Sequence, residues 1–178
     1  MPTGSPQLTT TVVLMGVSGS GKTTVAVELE RMLGWVRLEG DDLMPPENVA
    51  KMASGRPLTD EDRRPWLRAV AAWIGEQEEQ GRDALVTCSS LRRTYRDLLR
   101  DGHASVRFCE LDLPPGELAR RLGARTGHFM PASLLASQLA TLEPLAPDEP
   151  GVRVPELGGP AAVAAAVVLA LGLERTAG

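Results

Sequence analysis

The sequence predicts an α/β fold, a five-stranded parallel sheet flanked by helices, on three observations. Short β-branched or apolar runs alternate along the chain with helical stretches, the pattern of βαβ units. A glycine-rich segment stands between the first such run and the first helix. No period of about 20 to 50 residues recurs, which argues against a solenoid or propeller.

The elements follow in order. TTVVLM, residues 10–15, is β-branched and apolar and reads as a buried strand. In the helix that begins near Lys22, Val25, Leu29 and Met32 share a face, and Gly34 closes it. WVRL is a second strand. Thr59 and Asp62 have the spacing of a capping box and open a long helix, with Pro65 near its first turn, where proline is tolerated. ALVTC is a third strand, and TYRDLLRDG is a helix closed by Gly102. SVRFCEL is a fourth strand, PGELARRLGAR a helix that begins at proline, GVRV a short fifth strand and GPAAVAAAVVLALGL a last helix. LEPLAPDEPG is a loop. The 178 residues make one expected domain, long enough to bury roughly two thirds of the unfolded surface.

Composition narrows the function. Hydrophobic residues are 43% and charged residues 24%, ordinary for a globular protein. The net charge is −4 and no basic run occurs, so neither nucleic acid nor an anionic membrane is the expected partner. Cys88 and Cys109 lie in apolar runs and read as buried core thiols. The first residues lack the pattern of a signal peptide, and the longest apolar run is too short to span a bilayer, so the expected location is cytoplasmic.

GVSGSGKT, Gly16 to Thr23, fits G-x-x-x-x-G-K-[ST] between a strand and a helix, the phosphate-binding loop of the P-loop NTPase fold. Its glycines let backbone N–H groups face phosphate oxygens, and the helix N-terminus adds partial positive charge. Lys22 is placed to reach the β- and γ-phosphates and the Thr23 hydroxyl to hold Mg²⁺. Of the 19 basic residues only Lys22 and Lys51 are lysines. A chain so biased to arginine still places lysine in the loop, where a compact charge on a flexible stem fits.

A GTPase is excluded, because Asn48 is the only asparagine and no N-K-x-D follows. A small kinase needs an acid near the acceptor hydroxyl, an acceptor pocket and cations over the transferred group. Asp41 and Asp42 follow the second strand, at the ligand-binding edge of an open sheet. Gly40 implies a close backbone approach and favours Asp41. Arg120, Arg121 and Arg125 lie on or just after a helix ahead of Gly127, as a lid of about residues 120–133 would require. Arg63 and Arg64 are either bonded to Asp60, Glu61 and Asp62 or positioned for an anion. Arg92, with the hydroxyls of CSS, ends the third strand and suits a hydroxylated acid.

These residues together resemble the small gluconokinases of the phosphate-loop kinases, the thermoresistant type. The resemblance rests on LMGVSGSGKT, GDDLMP, KMASGRPLTDEDRRPWL, CSSLRRTYRDLLR and GHFMPASLLASQLATLEPL, in register from Val12 to Pro144. It implies transfer of the ATP γ-phosphate to the 6-hydroxyl of D-gluconate, Mg²⁺, a sheet like that of nucleoside monophosphate kinases and a homodimer. Carried over by position, Gly16, Val17, Ser18, Gly19, Ser20, Gly21, Lys22, Thr23 and Thr24 bind ATP, and Thr23 the metal. Asp41, Arg63, Arg92 and His128 face the acceptor. Lys22, Asp41, Arg121 and Arg125 are catalytic. Met44 stands where the family pattern has histidine, Ser90 where it has alanine and Arg92 where it has lysine. A kinase for another small acceptor, such as shikimate or a nucleoside monophosphate, and a nucleotide-binding module without turnover are the alternatives.

Overall fold

The computed structural model describes residues 8–124 and 132–176. Its elements are β1 (Thr11–Met15), α1 (Lys22–Leu33), β2 (Val36–Glu39), a 3₁₀ turn (Gly40–Leu43), α2 (Pro46–Ala53), α3 (Asp60–Glu79) and β3 (Ala84–Thr87). There follow α4 (Arg93–Arg100), β4 (Val106–Asp112), α5 (Pro115–Gly123), α6 (Ala132–Thr141), β5 (Gly151–Pro155) and α7 (Pro160–Leu171). The five strands form one sheet in the order β2-β3-β1-β4-β5, and every pair is parallel.

Side chains alternate across the sheet with period two, and each face needs its own helices. Val12 and Leu14 of β1 pack with Val25 and Leu29 of α1 and Val163 and Val167 of α7. Val13 and Met15 pack on the other face with Trp66, Val70 and Ile74 of α3 and Leu99 of α4. β1 is therefore buried on both sides, which is why its sequence is an unbroken apolar run.

Local chemistry sets the helix ends. The Asp62 N–H donates to Thr59 Oγ1 at 3.2 Å and the Thr59 N–H to Asp62 Oδ2 at 2.8 Å, the expected capping box. Gly34 ends α1 in a left-handed conformation. Burial pushes the Cys88 thiol up to about 11 and the Cys109 thiol to about 12, so both stay protonated in the core. Among the described residues, no helix is long and apolar enough to cross a membrane.

Candidate active site

The phosphate loop follows β1, which lies between β3 and β4 where successive connections leave in opposite directions. Open α/β sheets bind ligands at such a switch point. Gly16, Gly19 and Gly21 have φ of 140°, 82° and 92°, in the left-handed region that favours glycine. A Cβ on Gly16 would also come 2.9 Å from Ser20 Oγ. Lys22 Nζ donates to the carbonyls of Gly16 at 3.0 Å and Val17 at 3.1 Å, so its ammonium lies across the loop. The Ser20 hydroxyl is buried and, among the described residues, has no hydrogen-bond partner.

The carboxyl ends of β2 and β3 add an oxygen-rich pair. Thr23 Oγ1 donates to Glu39 Oε2 at 2.9 Å, and the Thr87 hydroxyl donates to the other oxygen of the same carboxylate. Trp66 Nε1 donates to the Gly40 carbonyl at 2.7 Å and thereby ties the 3₁₀ turn to α3. A Cβ on Gly40 would stand 2.2 Å from the Thr87 carbonyl oxygen. The close approach that this glycine serves is thus to β3, not to a ligand. Asp41 and Asp42 follow on the turn, both exposed. Asp41 raises and Lys22 lowers the pKa of the buried Cys88 thiol, so both charges act at one strand end.

No group of three or more metal-ligating His, Cys, Asp or Glu side chains occurs among the described residues. A nucleotide-bound Mg²⁺ does not need one, since one or two protein oxygens with phosphate and water complete its shell. The hard oxygens of Thr23 and Glu39 fit that requirement.

A first cleft runs from Ser20, Gly21 and Thr24 to Arg121, Pro155 and Pro160. Arg121 donates through Nε to Glu117 at 2.8 Å and through Nη2 to Glu156. Glu156 also accepts from the N–H groups of Gly158 and Gly159, which binds α5 to the loop after β5. Hydrogen bonds from Arg120 and Arg121 hold the Glu117 carboxyl down at about 2, and the Arg121 bond holds Glu156 below the usual range. Arg120 pairs with Glu117 on the open face of the helix and is 69% exposed, a solvated position. Arg125 and His128 lie outside the described residues, as does half of the expected lid.

A second cleft lies between α3 and α6, lined by Leu58, Arg63, Ser137, Gln138 and Thr141. Of the acids near Arg63, Asp62 pairs with Lys51 and Asp60 accepts from Arg92 at 3.3 Å. The Tyr95 hydroxyl also donates to Asp60, and the Arg63 guanidinium lies over the Tyr95 ring, 5.4 Å from its centre. Burial and the Asp60 bond push the Tyr95 phenol up to about 12. Arg63 Nε is buried and, among the described residues, meets no acceptor. Arg63 thus bonds neither Asp60 nor Asp62 through Nε. Arg64 is exposed.

The structure thus brings Lys22, Thr23 and Asp41 to one edge, Arg121 to one cleft, Arg63 over the Tyr95 ring, and Arg92 and the Tyr95 hydroxyl to the same Asp60 carboxylate. Glu39, Tyr95 and Gln138 were given no role by sequence reasoning, although Tyr95 and Gln138 lie inside stretches that carry the resemblance, and Asp60 was named only as a possible partner of Arg63 and Arg64. The Thr59–Asp62 box marks Asp60 as a helix start, but nothing local marks its partners. Met44 packs against the apolar cluster of Trp66 and Val70. Ser90 has φ 49°, rare for a residue other than glycine, and its buried hydroxyl has no partner among the described residues.

The AAA domain family matches residues 12–145. A gluconokinase of Gluconobacter oxydans is 56% identical over 80% of this chain and 80% of its own length. The thermoresistant gluconokinase of Escherichia coli is 43% identical over 83% and 85% respectively. The crystal structure of a gluconokinase from Sinorhizobium meliloti matches with a TM-score of 0.79 and 41% identity, covering 93% of each chain. With this identity over most of its length and with the phosphate loop in place, the chain belongs to the gluconokinase family.

Proposed function

We propose that this chain transfers the γ-phosphoryl group of ATP to the 6-hydroxyl of D-gluconate, giving 6-phosphogluconate and ADP. One observation carries the reading: the first cleft is lined by the phosphate loop, and the second, joined to the loop through the Ser18 N–H bond to Gln138, holds an arginine with a buried Nε that has no partner among the described residues. A cation so placed suits a carboxylate, and the hydroxyls of Ser137 and Thr141 across the cleft suit a polyol.

ATP lies with its phosphates on Gly16 to Thr24 and its adenosine end in the first cleft, beside Arg121. Lys22 exchanges the Gly16 and Val17 carbonyls for phosphate oxygens. Thr23, with Glu39 behind it, would hold Mg²⁺, which would neutralise phosphate charge when bound. Arg63 and Arg92 take the carboxylate end of gluconate, and the family resemblance adds His128 as an acceptor-binding residue. The 6-hydroxyl then points back to Asp41, which orients it and accepts its proton as the new O–P bond forms. The bond between the γ-phosphorus and the bridging oxygen of ADP breaks in line. Arg121 and Arg125 balance the charge of the leaving group.

The test is product identity. Incubation with Mg-ATP and D-gluconate, followed by ³¹P NMR with proton coupling, is expected to show a phosphomonoester split by the two protons of C6. A phosphoester on another carbon, or none, contradicts the reading.

A further inference from the structure

α6 contains no charged residue, yet it touches both halves of the site. Ser137, Gln138 and Thr141 line the acceptor cleft across from Arg63. The same Gln138 reaches the phosphate loop: the Ser18 N–H donates to Gln138 Oε1 at 2.7 Å, across a separation of 120 positions in sequence. Leu135 is buried and Leu139 half-buried, and both pack in the apolar cluster that holds β1 and α1. That contact fixes the rotation of the helix and keeps Gln138 aimed at the loop.

Ser18 is a sensitive place to hold the loop. Its neighbour Val17 supplies a carbonyl that accepts from Lys22 Nζ at 3.1 Å, and its other neighbour, Gly19, is left-handed. A displacement of α6 therefore reaches the peptide that shapes the phosphate cradle and the position of the lysine.

We propose that Gln138 is a positioning residue that couples the acceptor cleft to the phosphate loop, so that the sugar acid and ATP strengthen one another's binding. The proposal rests on the gluconate kinase reading above. An anionic polyol held between Arg63 and the α6 hydroxyls fixes the helix against α3. The helix, through Gln138 and Ser18, then holds the loop in one arrangement. A nucleotide that needs this arrangement loses less freedom on binding, and linkage makes the effect reciprocal.

The test is calorimetric titration of the full chain with AMP-PNP and Mg²⁺, with and without saturating D-gluconate. In the wild type, gluconate is expected to tighten AMP-PNP about fivefold or more, the lower range of common coupling energies. In Gln138→Leu, which keeps the bulk and cannot accept from Ser18, this ratio is expected to fall to about one. Gln138→Glu keeps an oxygen on the Ser18 N–H and is expected to retain the ratio, although its charge weakens both anions. A merely structural role for Gln138 would not separate these two variants. Should Gln138→Leu not fold, Gln138→Asn, one methylene too short to reach Ser18, makes the same comparison. A wild-type ratio of one, or a full ratio in Gln138→Leu, overturns the proposal. A wild type that binds no gluconate overturns instead the functional reading on which the proposal rests.

Discussion

Asp41 and Arg63 differ in how much of their role can be read from their neighbours. Asp41 is exposed on a 3₁₀ turn whose backbone is fixed by Trp66 Nε1 at the Gly40 carbonyl and by the Thr87 hydroxyl at the Gly40 N–H. Asp41→Asn is therefore expected to leave stability and both ligand affinities nearly unchanged. It is expected to lower kcat by about 10² to 10⁴, the usual range for a lost general base. Steady-state kinetics beside thermal melting checks this, and a kcat within about threefold of wild type contradicts the role. Arg63 has given up solvent around Nε and meets no acid among the described residues. Arg63→Ala is expected to raise KM for gluconate by roughly 30-fold or more while the affinity for AMP-PNP without gluconate stays near wild type, because a buried charge partner is worth about 2–5 kcal/mol. Arg63→Lys is not expected to restore it, since a point charge cannot reproduce the planar fork. The lysine of the loop and the acid after β2 were legible in the sequence because the chemistry admits few residue types at those places. Asp60 and Tyr95 were not, because their role comes from partners on other elements.

Most elements with a strong apolar period were legible, but the apolar helix α6 was not read from the sequence, and neither was α2, which is held by polar contacts. β1, α1, α3 and α7 each bury a continuous run or stripe. α2 buries only Asn48, whose Nδ2 donates to the Asp62 carbonyl at 2.7 Å, and Lys51 pairs with the Asp62 carboxylate. Such a helix leaves no hydrophobic periodicity to read. The loop of residues 142–150 was expected, but its anchor was not. Arg96 donates to both oxygens of Glu149, at 2.6 and 2.8 Å, and to the carbonyls of Ser90 and Glu143 at 3.0 Å, with both charged side chains 1% exposed. Glu149→Gln is expected to cost about 3–5 kcal/mol in urea denaturation, because it leaves the guanidinium buried and uncompensated. The pair also predicts acid sensitivity. Burial works against the Glu149 charge, but hydrogen bonds from Arg96 and from the Ala146 N–H hold the folded carboxyl below its ordinary 4.5. A carboxyl with a lowered folded pKa contributes stability that is complete above its unfolded value and is lost as pH falls through the folded value. Wild-type stability is thus expected to drop below about pH 4.5, and Glu149→Gln to show a shallower drop.

At the scale of the whole molecule, the sheet brings distant segments to one edge. The second cleft takes Arg63 from α3 and Ser137, Gln138 and Thr141 from α6, while Arg92, next to the start of α4, bonds to Asp60 of α3. Alternation of strands and helices made the parallel sheet legible. The order β2-β3-β1-β4-β5 was not, because it follows from which helices cover which face, not from any single segment. An assembly of this kind is expected to gain from its ligands together. AMP-PNP with Mg²⁺ and D-gluconate, each at about 100 times its Kd, should add about 2.7 kcal/mol apiece, and their coupling about 1 kcal/mol more. For a chain of this length that raises Tm by roughly 10–20 °C for the pair, and shikimate in place of gluconate should add nothing beyond AMP-PNP alone. Calorimetric melting reads both.

The most direct test of the central claim is acceptor-dependent ADP release with Mg-ATP, comparing D-gluconate with shikimate, glucose, AMP, CMP and no acceptor. Turnover with gluconate and none above background with the others is the predicted result. No response to gluconate in a chain that still binds ATP, or an equal response to another acceptor, would contradict the account.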